Sequence, residues 1–207
     1  MNFDEIIYYR RSVKHFNDTS IDSETVRNCL SNAILAPNTS NMQLWIFYHI
    51  TNPEILKILS AACLNQQAAT TVQQLIVFET RQDLYIKRAI KMFELETHNI
   101  LKNCPKEKHE KRIKQWKLYY GTIMPFLYFR FLGIIGFFRK ILVIMVGLFM
   151  SITYQVSECY MRVVVYKSCA LVAQTFMLVM ITSGMTPALW KGFIVKSKIY
   201  PEIAPRR

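Results

Sequence analysis

The sequence predicts an α+β domain, and three observations carry that expectation. Apolar residues recur at helical spacing in several stretches, as in Val26, Cys29, Leu30, Ala33 and Ile34. Two short stretches, 44–51 and 73–79, are instead dense in aromatic and β-branched residues and read as strands. The 207 residues are 52% apolar and 19% charged, enough for one well-buried core and too apolar for a disordered chain.

Taken in order, residues 4–9 form a short helix that leads into a basic cluster. A second helix begins near Ile21, with Asp22 or Ser23 as its N-cap, and Pro37 stops it. The strand 44–51 follows, then a short helix 54–62 opened by Pro53. Leu75, Ile76, Val77 and Phe78 centre the second strand, and 84–101 is helical again. The last long helix, 163–183, is apolar almost all round and is therefore expected at the centre of the core.

Residues 126–154 are very apolar, but Arg130 and the pair Arg139-Lys140 divide them into pieces of about eight or nine residues, short of the roughly 20 that a spanning helix needs. The stretch reads as buried or interfacial helices, with peripheral membrane contact as the rival reading. We delimit it as an apolar helical insertion at about 115–158 within a single domain spanning 1–207.

The net charge of +12 favours anionic partners, and much of it falls at 102–117, where seven Lys and Arg crowd together. That run reads as a solvated helical face. It lacks interleaved aromatics, and no nucleic-acid-binding motif is present, so nucleic acid is not an expected partner. The five cysteines are an odd number, scattered, and without a Cys-x-x-Cys pair. They form neither a disulfide framework nor a zinc site, and they suit a reducing cytoplasm. Residues 1–14 are charged and carry no secretory signal pattern.

Two motifs carry chemistry. Arg10-Arg11-Ser12-Val13-Lys14 places three cations and a hydroxyl within five residues. Such a group is either a solvated surface cluster or an anchor for a phosphate monoester, which arginine can hold through paired contacts. Ala36-Pro37-Asn38-Thr39-Ser40-Asn41-Met42-Gln43-Leu44-Trp45 is a loop rich in side-chain amides. Turns favour those residues for their own reasons, yet the same amides can hydrogen-bond a flat ring with polar edges.

The two motifs, separated by a helix, resemble the FMN-dependent nitroreductase family. Its chains open with Arg-Arg-Ser-x-Arg/Lys and continue through a helix to Ala-Pro-Ser-x-x-Asn-x-Gln-Pro-Trp. Here Asn38 stands in place of the Ser and Leu44 in place of the last Pro. Ala173-Gln174-Thr175-Phe176-Met177-Leu178, ahead of Gly184, resembles that family's core helix.

The resemblance implies a nitroreductase-like fold, with a central, mostly antiparallel sheet flanked by helices. It implies FMN as cofactor and NAD(P)H as co-substrate, with hydride passing through the flavin to a nitroaromatic, quinone or similar acceptor. By resemblance, Arg10, Arg11, Ser12 and Lys14 hold the phosphate, and Asn38, Ser40, Asn41 and Gln43 touch the ribityl chain and ring edge. No residue is assigned as catalytic, because this chemistry needs no general base. His15, His49, His98 and His109 stand isolated. A homodimer with flavin at its interface is implied as well.

The resemblance breaks after Gly184, where the family continues Thr-Cys-Pro-Met-Glu-Gly-Phe. This chain reads Thr186-Pro187-Ala188-Leu189-Trp190-Lys191-Gly192-Phe193. A nucleotide string encoding residues 186–193 can yield the family's seven residues when read two nucleotides later. The expectation is that 186–207 is a divergent, out-of-frame tail, with an incomplete sheet edge and weakened flavin affinity. Gly192 remains a carry-over for the Gly that approaches the ring, with Lys191 where the family has Glu. The alternatives are a membrane-surface protein without enzyme activity, or an inactive remnant of a nitroreductase.

Overall fold

The computed structural model describes residues 2–130, 134–148 and 156–188. Expectations that concern the tail from Leu189 onward, Gly192 included, lie outside the described residues.

Helix α1 (Phe3–Tyr9) starts where Asn2 and Glu5 cap each other. The Glu5 amide donates to Asn2 Oδ1 and the Asn2 amide to Glu5 Oε2, each at 2.9 Å. Helix α2 (Ser23–Ala33) is capped by Asp22, whose carboxylate accepts from the Thr25 amide at 3.0 Å. It buries Val26, Cys29 and Ala33, the stripe that the sequence spacing marks. Strand β1 (Trp45–Ile50) is followed by α3 (Pro53–Ala62), with Asn52 as N-cap and Pro53 in the first turn. A four-residue helix, α4 (Gln67–Thr70), which the sequence did not signal, precedes strand β2 (Leu75–Thr80).

The chain then becomes helical: α5 (Tyr85–Asn103), α6 (His109–Leu118), a π-helical turn (Tyr119–Ile123), α7 (Met124–Tyr128), α8 (Ile134–Gly147) and α9 (Glu158–Thr182). Among the described residues the sheet has two strands, β1 beside β2. The pairing is antiparallel: Arg81 N–H donates to Leu44 C=O at 2.9 Å at one end, while His49 meets Gln74 at the other. The fold is thus α+β and mostly helical.

Two compact units divide these elements. One comprises Met1–Ala36, Ile46–Glu79 and Ala170–Arg207, the other Pro37–Trp45 and Thr80–Cys169. The first unit builds its core from α2, α3, the strands and the later half of α9. Phe47, Phe78 and Phe176 stack edge to face there, with centroids 5.0 and 5.7 Å apart. On α9, Val172 is fully buried and Ala173, Phe176 and Met177 are buried with it. Gly184 ends α9 in the left-handed region (φ 76°). Its amide donates to Ile181 C=O at 2.9 Å and the Met185 amide to Met180 C=O at 3.0 Å, the Schellman arrangement that spares a residue with a Cβ from this conformation.

The second unit gathers Met42, Leu44, Ala89, Met92, Tyr120, Met124, Tyr128, Met161 and Val165 into its own buried cluster. Its α6 exposes Lys111, Arg112, Lys114 and Lys117, the solvated face that the charge run suggests.

Helix α9 is, by length and composition, long enough to cross a membrane. Half of its most apolar stretch is buried within the protein, as befits a core helix. The apolar stretch 126–154 departs from the sequence reading at one point. Arg130 does fall between α7 and α8, but Arg139 and Lys140 lie inside α8 without interrupting it. Arg139 turns inward, and its Nη1 donates to the carbonyls of Phe126 and Leu127.

Candidate functional site

The amide-rich loop 37–44 belongs to the second unit, and its backbone is unusual. Ser40, Asn41 and Gln43 all have positive φ, at 54°, 49° and 48°. The left-handed region costs residues with a Cβ about 1 kcal/mol each, Asn least among them. Such a sequence of conformations persists only where the surroundings fix it.

Several contacts do so. Met42 and Leu44, alternating with the amides, are buried in the helical core. Asn38 Oδ1 accepts from the Gln43 amide at 3.1 Å, closing the loop on itself. From the helical side, Tyr119 Oη and Ser40 Oγ share a hydrogen bond of 2.7 Å, and Tyr120 Oη donates to Ser40 C=O at 3.0 Å. Tyr120 is itself held by stacking on Trp116, with centroids 5.4 Å apart. The backbone amide of Thr39 donates to Ser168 Oγ on α9 at 3.4 Å.

The side chains inside the loop form a chain of amides. Gln43 Nε2 donates to Asn41 Oδ1 at 3.2 Å, and Asn38 Nδ2 reaches the same oxygen at 3.4 Å. These bonds use Asn41 Oδ1 and Gln43 Nε2, leaving one amide donor, Asn41 Nδ2, and one amide acceptor, Gln43 Oε1, for a ligand. The cavity that the loop lines with Tyr128 and Val165 is too small for a ring. A ligand of this loop therefore meets its exposed polar edge.

Burial pushes the Tyr120 phenol up to about 12, helped by the nearby charges of Glu96 and Tyr119. Burial likewise raises Tyr128 to about 12, with a smaller contribution from Tyr119. Unfolded tyrosines titrate near pH 10. The folded state thus holds these protons more tightly, so their contribution to stability is complete below about pH 10 and lost as the pH rises through about 12. Urea midpoints should be flat up to about pH 10 and then fall steeply, and Phe at both positions should flatten the descent.

The basic cluster lies in the first unit, in the extended segment after α1. Arg10 is half-buried; Arg11, Ser12 and Lys14 are exposed. Arg11 folds back on its own helix, donating to the carbonyls of Tyr8 and Arg10 and lying 5.4 Å from the Tyr8 ring. It caps orphan carbonyls at the end of α1 as it stands. Arg10 and Lys14 have no carboxylate partner among the described residues. Their charges are the ones open to an external anion.

The donor set fits a flavin mononucleotide in kind: cations and a hydroxyl for a phosphate, amide donor and acceptor groups for a ring edge. Both groups can be named from the sequence; the bracing of the loop by Tyr119 and Tyr120, about 80 residues away, cannot. The aromatic density of 116–120 was the one available signal.

Comparison with known proteins adds to this geometry. Residues 7–185 match the model of the Nitroreductase family. Protein DrgA of Synechocystis is 38% identical over 74 residues, 35% of this chain and 35% of that protein. The 5,6-dimethylbenzimidazole synthase of Rhodospirillum rubrum is 33% identical over 84 residues, 41% of this chain and 38% of its own length. The matched part of the chain thus spans little more than a third of these curated relatives. Among solved structures, a nitroreductase family protein from Streptococcus pneumoniae superposes with a TM-score of 0.65 at 24% identity, covering 99% of this chain and 84% of the other. A structure from Exiguobacterium sibiricum, solved in complex with FMN, gives 0.55 at 18% identity and covers 100% and 98%. These likenesses establish the fold.

Proposed function

Because this chain belongs to the nitroreductase family, we propose that it is an FMN-dependent oxidoreductase that moves hydride from NAD(P)H to a nitroaromatic, quinone or similar small acceptor. The observation that carries the reading is the braced loop, in which left-handed Ser40, Asn41 and Gln43 carry linked amides, exposed at Asn41 and half-buried at Gln43. A loop that stores strain in a fixed polar edge is built for a ligand rather than for packing.

In this reading Arg10, Ser12 and Lys14 grip the phosphate, joined by Arg11 once it leaves the α1 carbonyls. Asn41 and Gln43 hold the ring edge, while Asn38 and Ser40 fix their positions. Bound FMN supplies reversible uptake and release of hydride; the protein's residues bind and orient it. We extend the proposal to a homodimer working in a reducing, cytoplasmic setting, which suits five cysteines that are all free thiols.

The test is oxidation of NADPH and NADH, followed at their nicotinamide absorbance, with FMN and either menadione or a nitrofuran. The proposal expects oxidation that depends on both protein and FMN and that rises with acceptor. Protein with flavin demonstrably bound that oxidises neither nicotinamide would contradict it.

A further inference from the structure

Helix α8 touches the rest of its unit along one narrow stripe. Gly136 and Arg139 are buried, and Val143 and Val146 continue the line half-buried at helical spacing. A Cβ at position 136 would meet Glu158 Cγ at 3.0 Å and the Glu158 amide nitrogen at 3.2 Å, so α8 crosses the start of α9 at backbone distance. Arg139, fully buried, donates to the carbonyl of Phe126 at 2.8 Å and to that of Leu127, at the end of α7. Its guanidinium also lies 5.9 Å from the Phe126 ring. Burial disfavours the Arg139 charge, and Glu158 opposes that effect. These contacts fix which face of α8 turns outward.

The outward face is apolar: Phe137, Phe138, Ile141, Leu142, Met145 and Leu148 are all exposed, the two phenylalanines by 63% and 60%. Lys140 is the exposed charge of the helix. A contiguous patch of this kind marks a contact surface.

Charge decides what it contacts. Between Glu110 and Glu158 the chain has seven Lys and Arg and no Asp or Glu. Those on α6, together with Arg130 and Lys140, are exposed. A second copy using the same face about a two-fold axis would set like charges against like. An anionic bilayer complements both the apolar face and the cations. The 14 residues of α8 extend about 21 Å, against roughly 30 Å for a bilayer core, which places the helix in the interface rather than across it.

We propose that α8 docks this protein on an anionic lipid bilayer, with Phe137 and Phe138 entering the boundary between headgroups and acyl chains. Lys140 on the helix and Arg130, four residues before it, then lie among the headgroups. This inference is independent of flavin binding.

Co-sedimentation of the full chain with vesicles of phosphatidylcholine, alone or mixed with phosphatidylserine, tests it. The protein should partition onto the mixed vesicles roughly tenfold or more better than onto neutral ones, and added salt should erase the difference. Phe137→Ser with Phe138→Ser should reduce that binding by at least roughly tenfold. The circular dichroism of the double variant should be unchanged, since both rings are exposed. Three results would overturn the proposal: no binding to either vesicle, binding that the double variant leaves intact, or a lipid-free oligomer that the double variant turns into monomers. The last would assign the face to a second copy.

Discussion

Replacing Arg10 and Lys14 together with alanine is expected to weaken FMN binding by about a hundredfold while leaving riboflavin binding unchanged. A charge-assisted hydrogen bond contributes about 1.5–3 kcal/mol, and each 1.4 kcal/mol is a factor of ten in affinity. Loss of two such contacts therefore reaches about a hundredfold or more. Riboflavin lacks the phosphate, so the cluster has nothing to hold in it. Neither side chain has a carboxylate partner among the described residues, so thermal stability should stay within about 0.5 kcal/mol of the parent. Arg11→Ala should behave differently. It removes one phosphate contact but also uncaps the Tyr8 carbonyl, so it should weaken FMN less and fray α1 more. Isothermal titration with both flavins, read beside urea unfolding, separates these cases.

Tyr120→Ala is expected to destabilise the helical unit by about 3–5 kcal/mol, the range for removing a large buried aromatic side chain. The ring is 4% exposed, stacks on Trp116 and meets Tyr119 edge to face at 5.1 Å. Tyr120→Phe keeps that packing and removes only the hydroxyl, at a cost of about 1 kcal/mol. What it releases is Ser40 C=O, and with it one brace on the left-handed segment. The two variants should therefore divide: alanine lowers the urea midpoint sharply, whereas phenylalanine moves it little and lowers FMN affinity several-fold. If phenylalanine left FMN affinity untouched, the tyrosine would be a core residue with no part in positioning the loop.

Much of this organisation is legible in the sequence, for physical reasons that can be named. Helix α2 could be read because Val26, Cys29 and Ala33 share one face and Asp22 can cap it. Both strands stood out because aromatic and β-branched residues cluster in 44–51 and 73–79 without helical spacing. Resemblance places Gly184 at the end of the last helix, and its positive φ supplies the physical reason.

What could not be read depends on distant partners. No local pattern says that Ser40, Asn41 and Gln43 adopt left-handed backbone, because Tyr119 and Tyr120 stabilise that choice from another helix. In the sequence Arg139 reads as a break in an apolar stretch, since a cation inside such a helix is costly unless it finds acceptors. The carbonyls of Phe126 and Leu127 provide them for Nη1, while Nε and Nη2 are buried without a partner among the described residues. Hydropathy also cannot tell a buried apolar helix from an exposed one, and α8 proved to be largely exposed. The exposure of the α6 lysines is legible because a dense run of like charge has almost nowhere to go but solvent.

The proposal that this chain binds FMN, its phosphate through the basic cluster, is checked by parallel titrations of the unmodified chain with FMN and with riboflavin, followed by flavin fluorescence. Saturable quenching is expected with both flavins, with an affinity for FMN at least roughly a hundredfold higher, the share of the phosphate contacts. Quenching by neither flavin, or equal affinity for the two, would contradict it.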